Sequence, residues 1–225
     1  MAEASIKSEK PKHIVFKGEE DLSKSLAKYT ADLSEKFVSE RGAFTVVLSG
    51  GSLIESLRKL LEAPYVDTVE WAKWHVFWVD ERVVKKDHPD SNYKLAFDGF
   101  LSKVVELSKD NGFPKFDLML LGMGPDGHVA SLFPGHPLVK ENQRWVTFIK
   151  DSPKPPPQRI TFTFPVINSS SYIAQVVCGS NEAAAVHSAL GTEKTSDPLP
   201  AAMVSLKDGE LTWFLDEAAA SLLQD

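Results

Sequence analysis

Between residues 19 and 40 apolar side chains recur three and four apart, with Leu22, Leu26, Tyr29, Leu33 and Phe37 standing among charged neighbours. Such spacing puts them on one face, so the stretch predicts a long amphipathic helix, with Gly42 just beyond to close it. A short strand is expected at 13–17 ahead of it. Then the pattern changes. Phe44-Thr45-Val46-Val47-Leu48 is continuous and rich in β-branched and aromatic residues, which is how a strand covered on both faces reads. The runs at 74–79 and 116–121 have the same character. Leu53, Leu57 and Leu60 or Leu61 return to helical spacing after Ser49-Gly50-Gly51-Ser52, and Ser91 stands where it can cap a helix carrying Tyr93, Phe97, Phe100, Leu101, Val104 and Val105, ended by Asn111-Gly112.

Further strands are expected at 145–149, 159–163, 172–178, 202–206 and 211–215, with a helix over 181–190 capped by Ser180 and a short helix from Asp216. Pro153 and the run Pro155 to Pro157 cannot lie inside a helix and read as a rigid surface loop. Strands alternating with helices predict an α/β fold, a three-layer Rossmann-like sandwich around a mostly parallel sheet. The boundaries expected are a solvated tail over 1–12 and one domain over 13–225.

Composition narrows the functional classes. The chain has 225 residues, 43% hydrophobic and 25% charged, with no apolar run long enough to span a bilayer. A formal net charge of -6 with scattered basic residues argues against a nucleic-acid partner. The single cysteine, Cys178, lies in an apolar run and reads as a small packed hydrophobe in a reducing compartment. Residues 1–12 lack an apolar core or an Arg-rich amphipathic pattern, so a cytoplasmic location is expected. No His, Cys and Asp cluster has metal-ligand spacing, so neither metal nor cofactor is expected.

The chemistry gathers at strand exits. Leu118-Met119-Leu120-Leu121 runs into Gly122-Met123-Gly124-Pro125-Asp126-Gly127-His128, with three glycines, a proline and an aspartate delivering one imidazole. Ligands of open α/β sheets bind outside the carboxyl ends of the strands, where this loop lies. Asp80 and Asp126 are the carboxylates placed to orient His128 or a water, and either can instead cap its own turn. Amides of Gly124 and Gly127 are candidate oxyanion donors. Gly50, Gly51 and Ser52, at a helix start, predict an anion site, and Arg82 at the next strand exit can fork onto phosphate oxygens or pair with Asp80 or Glu81.

Residues 122–136, from Gly122 to His136, resemble the signature of the 6-phosphogluconolactonases, whose catalytic histidine falls on His128. Ser49-Gly50-Gly51-Ser52, and Asp80-Glu81-Arg82 with Ser91-Asn92-Tyr93, are similar to that family's other motifs in order and spacing. The resemblance implies the fold shared by glucosamine-6-phosphate deaminases, ribose-5-phosphate isomerases and CoA transferases. It implies hydrolysis of 6-phospho-D-glucono-1,5-lactone by a water that His128 activates, with Arg159 and Lys194 matching further basic positions. The partner expected is that small phosphosugar lactone, on a monomer or weak homodimer. The chain departs from the pattern at Leu53-Ile54, where the family continues Thr-Pro.

Two rivals remain at this point. Hexosamine-6-phosphate deaminases share the Gly-rich histidine loop but continue Asn-Glu-Pro-Gly, where this chain has Leu132-Phe133-Pro134-Gly135. A non-catalytic phosphosugar-binding module would need the anion site but not His128.

Overall fold

The computed structural model describes residues 12–99, 101–103, 116–191, 197–206 and 208–223. The expected positions Phe100, Val104, Val105, Asn111-Gly112 and Lys194 lie outside them. Six strands form one parallel sheet: β1 (Lys12–Phe16), β2 (Phe44–Leu48), β3 (Trp74–Trp78), β5 (Leu118–Leu121), β8 (Tyr172–Val177) and β9 (Glu210–Asp216), in the order β1-β9-β8-β5-β2-β3. Lys12, assigned to the tail, is the first residue of β1.

Alternation along the central strands divides the core. Val46 and Leu48 of β2, Leu118 and Leu120 of β5 and Phe214 of β9 pack on one face with Leu22, Leu26 and Phe37 of the helix α1 (Glu19–Arg41). Val47, Met119, Leu121, Trp213 and Leu215 face the other way, onto Leu132, Phe164, Ile167 and Val186. Buried strands between two apolar layers are the three-layer α/β sandwich that the pattern predicted. α1 ends where Gly42 turns left-handed at φ 77° and its N–H bonds Val38 O.

The other helices are short: α2 (Leu53–Ser56), α3 (Tyr65–Thr68), α4 (Asn92–Gly99), α5 (Phe164–Ile167) and α6 (Ala183–Leu190). α2 gives way to a 3-10 turn at Arg58–Leu61, so the helix expected after the Gly-Gly turn is one turn long. Ser91 does cap α4, its Oγ accepting from Lys94 N, and the Glu81 carboxylate accepts from the amides of Asn92 and Tyr93 beside it. Ser180 opens a 3-10 turn with no side-chain cap.

Three strands leave the main sheet. β4 (Asp80–Arg82), β6 (Val146–Ile149) and β7 (Arg159–Phe162) form a separate antiparallel sheet in the order β4-β7-β6. The expected strand at 202–206 is instead a 3-10 turn, Pro200–Met203, because Pro200 at its first position sets a helical φ and the turn packs on the histidine loop through Ala201 N to Gly127 O. The expected helix from Asp216 is a set of turns, with the Asp216 carboxylate accepting from Ala219 N and Gly179 N. Among the described residues no helix is long and apolar enough to cross a membrane.

Candidate active site

A cavity of about 170 Å³ opens at the carboxyl ends of β2, β3 and β5, roofed on one side by the small sheet. It is lined by Ser49 to Ser52, Asp80, Arg82, Asn92, Gly122 to Gly124, His128, Ala130 and Arg159. The loop after β5 turns tightly: Gly124 N–H donates to His128 O and Gly127 N–H to Gly124 O. Those bonds use the two amides expected to stabilise an oxyanion, so that expectation is corrected. The glycines serve shape instead. A Cβ on Gly124 would lie 2.2 Å from His128 Cε1, and Gly127 holds φ at +78° against Leu199. Ala130, at φ 52°, is the one non-glycine left-handed residue among those described, placed where the chain leaves the cavity wall.

His128 Nδ1 lies 2.6 Å from Asp126 Oδ1, and its ring stacks on Phe133 at 4.6 Å between centroids. Burial pushes the imidazole below its usual range, more than the Asp126 hydrogen bond and charge raise it. Burial also disfavours the Asp126 carboxylate, but His128 and then Lys154, at 3.3 Å, outweigh it and hold that group below its ordinary value. A neutral imidazole with its proton on Nδ1 leaves the Nε2 lone pair free.

Asp80 does not bond His128. One of its oxygens accepts from Ser131 Oγ at 2.7 Å and the other from Asn92 Nδ2 at 3.1 Å, with Arg159 Nη1 4.0 Å away. Only 6% exposed, it ties three segments of the wall together, so of the two expected orienters of His128 only Asp126 touches the ring, and Asp80 lines the cavity. Gly50 leaves room for this arrangement, since a Cβ there would come within 2.0 Å of Asn92 Oδ1.

The Arg82 guanidinium pairs with neither Asp80 nor Glu81 among the described residues, although the Arg82 backbone N–H donates to Glu81 Oε1. Its Nη1 donates to Asp90 O at 2.9 Å, while Nε is buried without an acceptor among the described residues. The amides of Gly50, Gly51 and Ser52 likewise have none, which leaves donors in the cavity, although one turn of helix gives little dipole to assist them. Arg159 commits Nε and Nη2 to the carbonyls of Pro156, Lys154 and Pro155, leaving only Nη1 toward the cavity. Asn92, Ser131 and Lys154 carry site contacts that sequence reasoning did not assign. Asn92 had a signal, a polar residue inside a motif block. Ser131, inside the 122–136 block, had the same signal, whereas Lys154 reaches Asp126 from a separate loop.

The family model for glucosamine-6-phosphate isomerases/6-phosphogluconolactonase matches residues 17–111 and 103–213. The chain belongs to that family. A rice relative named probable 6-phosphogluconolactonase 4, chloroplastic (Oryza sativa subsp. indica), is 60% identical over 94% of this chain and 76% of its own length. 6-Phosphogluconolactonase 3, chloroplastic, of Arabidopsis thaliana is 56% identical over 99% and 79%. The solved 6-phosphogluconolactonase of Trypanosoma brucei superposes with a TM-score of 0.83 at 22% identity, covering 96% of this chain and all of that one, and so supports the fold. The chloroplastic names of these two plant relatives overturn the expected cytoplasmic location. That expectation rested on the composition of residues 1–12, and the packing of an α/β domain carries no cellular address.

Proposed function

We infer that this chain hydrolyses 6-phospho-D-glucono-1,5-lactone to 6-phosphogluconate, the lactone-opening step of the pentose phosphate pathway. The observation that carries the mechanism is the His128–Asp126 pair, a largely buried imidazole held at Nδ1 and lining a cavity rich in free donors. The amides of Gly50, Gly51 and Ser52, with Arg82, suit the phosphate, and Arg159 Nη1 adds charge at its edge. As water oxygen bonds to the lactone carbonyl carbon, His128 Nε2 takes a water proton and the carbonyl electron pair moves to oxygen. Collapse re-forms the carbonyl and breaks the bond to the ring oxygen, which receives the proton from the imidazolium. The released acid then ionises. Asp126 fixes the tautomer and stabilises the transient imidazolium.

Phe133 weighs against deamination, because an apolar ring, here stacked on His128, stands at the sequence position where the deaminase motif has its glutamate. The test is turnover of freshly generated lactone, with spontaneous hydrolysis subtracted, beside unphosphorylated gluconolactone and glucosamine 6-phosphate. We expect the phosphorylated lactone to be strongly preferred, and His128→Asn to lower kcat by roughly 10²–10⁴-fold without loss of folding. Equal kcat/KM on both lactones, or a folded His128→Asn variant with full kcat, would overturn the reading.

A further inference from the structure

The proline-rich loop carries a charge into the catalytic pair. Its backbone is fixed from two sides: Ser152 Oγ donates to Lys154 O at 2.8 Å, and Arg159, 3% exposed, donates to the carbonyls of residues 154, 155 and 156. Ser152 N–H also bonds Pro157 O, closing the loop on itself. A lysine on a loose loop would sample many positions. This one is anchored at its own carbonyl, and its ammonium lies 3.3 Å from Asp126 Oδ1. That is the same oxygen that His128 Nδ1 approaches at 2.6 Å, so ammonium and imidazole stand within about 6 Å of one another.

We propose that Lys154 is a positioning residue for His128, its ammonium sharing Asp126 Oδ1 with the imidazole and thereby setting the pH below which His128 no longer accepts a proton from water. The claim rests on the lactonase reading for its catalytic consequence. Asp126, from its own loop, and Asp80, from β4, favour the imidazolium. Lys154 opposes it from the proline loop, and Arg82 lines the same cavity from β4. Phe133 covers the ring with the Arg159 guanidinium 5.6 Å behind it. Without Lys154, Asp126 would act on the imidazole unopposed at that oxygen, and the imidazolium would form at higher pH. The anchored ammonium therefore keeps the base free at lower pH while holding Asp126 ionised as the tautomer anchor.

Two readouts test this. The midpoint of the acid limb of kcat, and the titration midpoint of the His128 C2 proton by NMR, assigned by its absence in His128→Asn, are measured in wild type, Lys154→Met, Lys154→Gln and Lys154→Arg. Both midpoints are expected to rise by at least about half a pH unit in the Met and Gln variants, the Coulomb effect of one unit charge at that separation under the full screening of water, and by more in a buried setting. Lys154→Arg is expected to restore them. Unmoved midpoints in both neutral variants, or an equal rise in the Arg variant, would overturn the proposal. A wild-type chain with no lactone turnover would instead overturn the functional reading, and the NMR titration would still decide the role of Lys154.

Discussion

The imidazole of His128 is gripped on its edge by Asp126, which favours the imidazolium, and covered on its face by Phe133, and its burial outweighs the carboxylate and favours the uncharged ring. Because burial lowers the folded-state pKa below the ordinary value near 6.5, the acid limb of kcat is expected below that pH. The sign for stability follows from the same shift. Above about 6.5 the ring is neutral in both states, and as pH falls below that value the unfolded chain takes up a proton first, so the folded state loses stability toward acid. Thermal unfolding followed from pH 7 to 5 should show this loss in the wild type and less of it in His128→Asn. Asp126→Asn offers an amide that can donate to Nδ1 and put the proton on Nε2, facing the cavity. A fall in kcat of about 10²-fold or more, with KM little changed, is expected in steady-state assays. At this scale the sequence was informative where chemistry is compressed into one loop: the three glycines, Asp126 and His128 stand within seven residues. It was misleading about what the glycines do, since their amides close the turn and only the geometry reveals that Gly124 makes room for the ring.

Arg159 shows how an element can be built around one side chain. It begins β7, is nearly fully buried, and bonds three successive carbonyls of the preceding loop while one nitrogen faces Asp80. Arg159→Lys keeps the charge but loses the planar fork, leaving carbonyls of Lys154, Pro155 and Pro156 short of donors. A cost of about 2–4 kcal/mol is expected, seen as a melting temperature lower by roughly 5–15 °C. The proline run announced a stiff loop in the sequence, but nothing in it announced which residue would anchor that loop. The same limit hid β4, the edge of the small sheet, whose other two strands were expected. Asp80-Glu81-Arg82 is a strand of three charged residues, and its pairing with Thr161, Ile160 and Arg159 is decided about 80 residues further along the chain. The parallel strands were legible because burial on both faces forces an apolar run, a local signal. An edge strand that faces a polar cavity gives none.

On the scale of the molecule, the cavity sits where the two sheets meet, and its wall is tied together by Asp80 reaching α4 through Asn92 and the histidine loop through Ser131. A phosphosugar bound as proposed would touch the loop after β2, the end of β4 and the loop after β5 together, so its binding energy would resist separation of both sheets. Saturation with the product 6-phosphogluconate at about 100 times its Kd adds roughly 2.7 kcal/mol to the unfolding free energy. For a chain of this size that raises the melting temperature by about 5–10 °C. Arg82→Ala removes a charged partner of the phosphate, worth about 1.5–3 kcal/mol, and at the same product concentration most of the rise should disappear. His128→Asn keeps the phosphate donors and should keep most of it. Calorimetric scans of the three proteins with and without product make the comparison. A full rise in Arg82→Ala would remove this guanidinium from phosphate binding, and its loss in His128→Asn alone would move the principal contact of the product from the Gly50-Gly51 turn to the imidazole.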